Sequence, residues 1–375
     1  MRLFVSLFIL FHFAECLAQN TGLDSDISAE MKRLNIPGMA VAKIEAGEVA
    51  WTGHFGFQNL EKQIPVTGNT IFQIASISKT VTAAAIMQLA AKGYFSLDDD
   101  VSGFLPFSVR SSFHPRKPIT FRQLLRHRSS IRDNFDYLLP FWEGKYKGPN
   151  ISLDIFLQNY LAIGGSNYHK DKNFIQAAPG DRFEYSNMGY ALLGYLVERI
   201  ANMPFDEYCQ KNLFSPLEMR QTNWFPDKMD ANRIATPYIF SDSLKVYQRQ
   251  QQSTFPDYPA GQLRCSIGDL ARFLVCWTND GKFEGKSIID SVAVQTLTPK
   301  DMSLGFHTWF LYLFNTETPM YGHNGHGPGV STYMLYDPFS KNGLVILMNG
   351  ELSSYMDWRS LINLLYQKRS LSAGK

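Results

Sequence analysis

With 375 residues, 45% of them apolar and 14% aromatic, the chain can bury a large core as one big domain or two lobes. A net charge of only +2 gives no footing for nucleic acid or another strongly electrostatic partner. Neither a low-complexity tract nor a repeat at solenoid spacing occurs in it.

The first eighteen residues are of a different character. Arg2 precedes an apolar run, Leu3 to Phe13, broken only by Ser6 and His12, and Cys16-Leu17-Ala18 puts small residues where a signal peptidase reads. This pattern predicts a secretory signal peptide cleaved after Ala18, a domain over residues 19–375, and a secreted or periplasmic mature chain. An uncleaved anchor is the plainer alternative, although about eleven apolar residues are short for a membrane span. No later stretch reaches eighteen apolar residues, so no span is expected after removal of the signal. Cys209, Cys265 and Cys276 then remain, an odd number that allows at most one internal disulfide. The simplest reading makes all three small buried apolar groups, and no Cys/His spacing suggests zinc.

Ile27, Met31 and Leu34 sit at i, i+4 and i+7 and predict a short helix over 26–34, ended by Pro37 and Gly38. Residues 39–44 and 49–55 read as two strands joined by a hairpin at 45–48. Residues 56–71 read as loop, punctuated by Gly56, Pro65 and Gly68. Phe72 to Val81 follow as an extended segment entering a helix at Ser76, with Ala83, Ala84 and Ala85 as strong helix formers and Gly93 past its end. On that helix Ser76 and Lys79 are i, i+3 neighbours, about 5–6 Å apart at Cβ. A serine needs a base to become a nucleophile, and a lysine becomes one when burial and the positive helix end lower its pKa. Taken alone, Ser-x-x-Lys also fits a capped surface helix.

Asp98, Asp99 and Asp100 lie in a loop over 96–118 and read as a solvated turn rather than a metal site. Thr120 and Gln123 form a capping-box signature. Residues 131–180 are aromatic-rich and irregular, with helical hints at 152–161; such a stretch inside a compact domain suggests a binding rim, to which 237–258 also belongs. A helix carrying Leu192, Leu193, Leu196, Val197 and Ile200 opens after Tyr185 and Asn187. There a phenol could shuttle protons beside a lysine, and an amide could hold both a lysine and a substrate carbonyl. The plainer reading is a helix-start loop.

Residues 259–277 run from Pro-Ala-Gly-Gln-Leu into an apolar helix, and 281–305 read as a helix between turns. Gly322, Gly325, Gly327 and Gly329 then allow close backbone approach to a ligand around His323 and His326. His323 could donate to a substrate carboxylate or tune a neighbouring proton, and N–H groups near His326 could bind an oxyanion. A glycine-rich turn, or a weak two-histidine metal site, would look the same. Strands at 331–336 and 343–348 and a helix with Trp358, Leu361, Ile362 and Leu365 close the chain.

The order of these motifs resembles the serine β-lactamase and penicillin-binding-protein superfamily, in particular the branch of class C β-lactamases, esterases and D-amino-acid peptidases. Ile119–His127, Pro179-Gly180, Tyr185-Ser186-Asn187, Pro259-Ala260-Gly261 and Gly322–Gly329 extend the likeness over nearly all of residues 25–365. The resemblance implies an α+β fold of the β-lactamase/transpeptidase type: an antiparallel sheet flanked by helices (about 19–75 and 260–375) and a mostly helical lobe (about 76–259). It implies Ser76 as acylated nucleophile, Lys79 as base, Tyr185 as acid/base, and Asn187 as positioning amide. His323 and Gly325 match its third motif, and the N–H groups of Ser76 and His326 would form the oxyanion hole. It implies a serine hydrolase of an amide or ester in a small molecule or peptide, without metal or organic cofactor. His323 replaces the lysine usual in potent β-lactamases, which favours a peptidase or esterase. His326, Gln262 and Ser129-Ser130 also depart from the commoner pattern. Silent relatives of the same fold, holding peptides or forming filaments, are the alternative.

Overall fold

The structure is a computed structural model that describes residues 22–145, 150–252, 254–297, 307–309, 320–352 and 354–367. The expected signal segment with Cys16 lies outside the described residues, as does 298–305 of the expected 281–305 helix. Among the described residues, the centre is a seven-stranded antiparallel sheet. Its strands are β1 (Gly38–Glu45), β2 (Glu48–Asn59), β3 (Ile64–Pro65), β4 (His307–Trp309), β5 (Met320–Gly327), β6 (Val330–Tyr336) and β7 (Gly343–Met348), in the order β4-β5-β6-β7-β1-β2-β3. The β1–β7 pairing, Val41 opposite Ile346, joins the two chain ends.

Both faces of this sheet are covered, which is why β1 and β7 read as near-continuous apolar runs. Met39, Val41, Leu344 and Ile346 face α1 (22–33) and α5 (Tyr355–Gln367) through Ile27, Met31, Leu361 and Ile362. Ala40, Ala42, Val345 and Leu347 face the larger core, where α4 (Ile267–Thr278) lies against the sheet. In that core α2 (Ser78–Ala91) is buried from Ser78 to Leu89, wrapped on every side, and packs along α3 (Asn187–Ala201). Ala83, Ala84 and Ala85 are small enough to admit neighbours on all faces. No helix among the described residues is long and apolar enough to cross a membrane.

Several local expectations change. Residues 56–71 are not all loop: β2 runs on to Asn59 and pairs with β3. Gly56 permits this with φ +67°, where a Cβ would sit 2.2 Å from the Pro37 carbonyl oxygen. The stretch 131–180 contains a helix, Phe135–Trp142, whose Pro140 stands in its last turn. Residues 281–305 begin with a small hairpin, and the helix covers only Ser291–Leu297 of the described part. The glycine-rich segment is a strand, β5, rather than a turn. The aspartates at 98–100 each have local work: Asp98 pairs with Arg122, Asp99 accepts from the Ser96 N–H, and Asp100 caps a turn and pairs with Arg110. Cys209, Cys265 and Cys276 are buried free thiols, raised in pKa by burial. The Thr120–Gln123 capping box forms as expected.

Gly325 holds β5 against the turn that carries Ser76. A Cβ there would lie 2.2 Å from the Ile74 carbonyl oxygen and 2.4 Å from Thr332 Oγ1, whereas Gly327 has open space. Gly325→Ala is therefore expected to cost about 1–3 kcal/mol by overpacking, while Gly327→Ala stays near neutral; thermal denaturation of the two variants checks this.

Candidate active site

The segment Ile71–Gln73 pairs with Arg264–Ser266, and the Ile74 N–H continues the ladder to the Leu263 carbonyl. The chain then breaks from extended into a 3-10 turn, Ala75–Ile77, with Ala75 at φ +45°. A non-glycine residue pays about 1–3 kcal/mol for that conformation, and surrounding bonds impose it. Ser78 Oγ donates to the Ala75 carbonyl at 2.6 Å and accepts the Leu263 N–H at 3.0 Å. Thr332 Oγ1, from β6, donates to the Ile74 carbonyl at 2.9 Å. Ser76 thus lies on the turn ahead of α2, not inside the helix, and its hydroxyl reaches the cleft.

Lys79 is fully buried one turn on. Its ammonium donates to Ser76 Oγ at 3.1 Å, Asn187 Oδ1 at 2.6 Å and the Ala260 carbonyl at 2.6 Å. Burial lowers its pKa to about 7, against the opposing pull of Asp133 and Asp257. The nitrogen also stands 4.9 Å from the Tyr185 ring centre. Tyr185 hydrogen-bonds Ser76, and burial raises its pKa although 36% of the residue is exposed. The phenol therefore keeps its proton at neutral pH. His127 stacks on the Tyr185 ring at 4.3 Å, and its Nδ1 accepts the Ser186 N–H at 3.0 Å.

Asn187 is the first residue of α3; the cap belongs to Ser186, whose hydroxyl accepts the Gly189 N–H. This frees the Asn187 amide. Its Nδ2 donates to Asp133 Oδ2 at 2.8 Å, so its oxygen must face Lys79. Asp133 also accepts the N–H groups of Asn187 and Met188 and the Ser186 hydroxyl. The carboxylate binds at the positive end of α3 and fixes the amide's orientation. Burial raises the pKa of Asp133 against those bonds.

The cleft in front of Ser76 has a volume of about 170 Å³. Asn187, Trp142, Phe255, Asp257 and His326 are among its walls. Of the two histidines on β5, His326 is exposed at the cleft. His323 is buried, its ring 6.4 Å from that of Tyr185 and its Nδ1 2.6 Å from the Asn324 carbonyl, so it stands beside the phenol and away from the open cleft. Gly325 lies between, against Ala75. All of Ser76, Lys79, Tyr185, Asn187, His323, Gly325 and His326 thus gather around one turn.

Sequence reading missed Asp133, Trp142 and Asp257, which fall inside the two rim segments without a motif of their own. His127 closes the Ile119–His127 stretch, but nothing in its spacing foretold a stack on Tyr185. Ser130 takes φ +67°, which explains why a glycine suits that place; here its hydroxyl donates to the Ala177 carbonyl at 2.6 Å in compensation.

Comparison with known proteins gives a consistent picture. Protein flp of Staphylococcus aureus (strain MRSA252) is 25% identical over 87% of this chain, which spans 62% of the length of that relative. Penicillin-binding protein 4* of Bacillus subtilis (strain 168) is 25% identical over 83% of this chain and 68% of its own. Among solved structures, the octameric penicillin-binding protein homologue from Pyrococcus abyssi superposes with a TM-score of 0.70 at 27% identity, covering 92% of this chain and 77% of that one. The D-amino acid amidase from Ochrobactrum anthropi SV3, at 20% identity, has a TM-score of 0.72 over 93% and 96% of the two chains and so shares the fold. The family model Beta-lactamase matches residues 23–366, and the chain belongs to that family.

Proposed function

We propose that this protein is a serine hydrolase that cleaves an amide or ester bond through an acyl-enzyme on Ser76. What carries the reading is the 3.1 Å contact between Ser76 Oγ and the buried, pKa-lowered nitrogen of Lys79. With that pKa near 7, a substantial fraction of Lys79 is the free amine at neutral pH and can take the Ser76 proton. The Ser76 oxygen then bonds to the substrate carbonyl carbon. Backbone N–H groups of Ser76 and His326 hold the oxyanion. Tyr185, kept as a phenol by burial, gives its proton to the leaving amine or alcohol as the C–N or C–O bond breaks, and regains one from protonated Lys79. Water attacks the acyl-enzyme, losing a proton to the same relay, and releases the acid and the Ser76 hydroxyl. Asn187 keeps Lys79 in register and faces the substrate; His323 supports the phenol.

Supporting the choice of bond, one solved structure of this fold is described as a D-amino acid amidase and another, EstCE1, as a hydrolase with promiscuous acyltransferase activity. The same proposal takes residues 1–18 as a signal removed on export to the periplasm or outside the cell. It places the cleft between a sheet lobe, 19–75 with 260–375, and a helical lobe, 76–259.

Intact-mass analysis after a fluorophosphonate probe is the direct test. One adduct is expected on the wild type and none on Ser76→Ala; equal labelling of both would sink the proposal. Turnover of a nitrophenyl ester by Ser76→Ala should fall by about three orders of magnitude or more. Because Lys79 must lose its proton to act, kcat/KM should rise about tenfold per pH unit below pH 7 and level off above it. Asp133 favours the charged lysine, so Asp133→Asn should move that acid limb to lower pH as well as slow the reaction; a pH–rate profile of both proteins reads the shift.

A further inference from the structure

The Tyr185 phenol sits on a stretch with no regular structure of its own. Residues 183–186 belong to neither helix nor strand, and α3 starts only at Asn187. Two side chains from the segment 127–133 hold this stretch from outside. Asp133 takes its later half, accepting the Ser186 hydroxyl and the N–H groups of Asn187 and Met188. His127 takes the earlier half. Its carbonyl accepts the Glu184 N–H at 2.7 Å, and its Nδ1 accepts the Ser186 N–H at 3.0 Å. The two bonds bracket Tyr185, one residue before it and one after. Between them the imidazole lies on the phenol ring, with centroids 4.3 Å apart and planes 26° from parallel. The imidazole is itself packed against the Tyr190 ring at 4.8 Å and the Phe183 ring at 5.7 Å. His127 has φ +53°, a left-handed conformation that histidine and asparagine adopt more readily than most residues. In it, carbonyl and ring reach the same loop.

A backbone N–H can only donate, so Nδ1 must be the bare nitrogen of the His127 ring. Ser186 is 1% exposed, so water does not stand in for that acceptor if it is removed. Stacking alone lets one ring slide over another, whereas a hydrogen bond to the next residue fixes the main chain that carries the phenol. His127 is absent from the described walls of the cleft, so it acts through Tyr185 rather than on substrate. We infer that His127 is the positioning residue of the Tyr185 phenol: its bare Nδ1, bonded to the Ser186 N–H, sets the phenol against the Ser76 hydroxyl. It does for the phenol what Asp133 does for the Asn187 amide. The inference rests on the hydrolase reading, in which Tyr185 gives its proton to the leaving group. Misplacing a proton donor by a fraction of its bond length slows the chemical step without touching the groups that bind substrate.

Two experiments test this. The first is a double-mutant cycle on kcat/KM for phenyl acetate, whose leaving group profits from a proton, with each variant checked for folding by circular dichroism. In the wild-type background His127→Leu should lower kcat/KM by about tenfold or more. In a Tyr185→Phe background, where no phenol remains to be placed, the same change should matter by less than about twofold. His127→Asn tolerates the left-handed backbone and puts Oδ1 where Nδ1 stood, so it should stay within about threefold of the wild type. A purely structural role predicts the same loss in both backgrounds. That result, no loss in the wild-type background, or an asparagine variant no better than the leucine one overturns the inference. The second experiment needs no variant to carry the answer if His127→Leu fails to fold. Two-bond nitrogen–proton NMR on the wild type, labelled with nitrogen-15 in histidine, reads which ring nitrogen bears the proton; His127→Asn only assigns the signal. A bare Nδ1 with a protonated Nε2 is expected at neutral pH, and a protonated Nδ1 overturns the inference. Absence of any turnover or probe adduct in the wild type would strike the hydrolase reading instead, and the NMR measurement would still decide whether Nδ1 holds the loop.

Discussion

Everything in this molecule's centre depends on keeping one lysine nitrogen dry. Lys79 is buried on a helix that is itself enclosed, and it survives there because each of its hydrogens has an acceptor: the Ser76 hydroxyl, the Asn187 amide oxygen and the Ala260 carbonyl. Those acceptors come from three separate parts of the chain. The lysine therefore acts as the tie between the turn before α2, the start of α3 and the segment before α4. Removing any acceptor would leave a buried amine with an unmet donor, which costs far more than the bond itself contributes.

Each tie is backed by a second layer. The Asn187 amide is oriented by Asp133, which collects four donors at the first turn of α3. The Ala260 carbonyl is brought in by the turn Tyr258–Ala260, and Thr82 on α2 donates to the neighbouring Pro259 carbonyl at 2.7 Å. Gly194 on α3 makes room for that proline, since a Cβ would stand 2.4 Å from its ring. Gln262, in place of a small residue, spends its side chain on the Phe255 N–H and the Trp224 carbonyl, and so shapes the cleft wall at Phe255. From the other side, Thr332 and Gly325 press the sheet onto Ile74 and Ala75. The left-handed Ala75 is the visible trace of these constraints meeting at Ser76.

Electrostatics divides the buried groups by task. Lys79 is lowered in pKa and Tyr185 raised, so near pH 7 an amine and a phenol can coexist beside one hydroxyl. Asp133 and Asp257 both favour the charged lysine, yet they serve different neighbours: the first orders an amide, the second faces the cleft under an indole. Two carboxylates near one ammonium hold the lysine's pKa higher than burial alone would leave it.

By itself the sequence determined whatever depends on near neighbours. The i, i+3 relation of Ser76 and Lys79, the hairpin at 45–48, the capping box at Thr120, and the apolar stripes of α3, α4 and α5 are all set by residues within a turn or two of one another. The order of motifs also pointed to the family, and with it the antiparallel sheet. Only the tertiary structure decided the rest. That Gly322–Gly327 is a strand depends on β6 and the Ser76 turn lying where a side chain would collide. Two of the three acceptors of Lys79 are 108 and 181 residues away in the chain, and no local spacing encodes them. Asp133 and Asp257 carry no motif at all: an aspartate in an aromatic stretch looks like any solvated turn until folding removes its water and gives it an amide or an indole instead. Burial is a property of the whole packed chain, and here burial is what turns ordinary side chains into reactive ones.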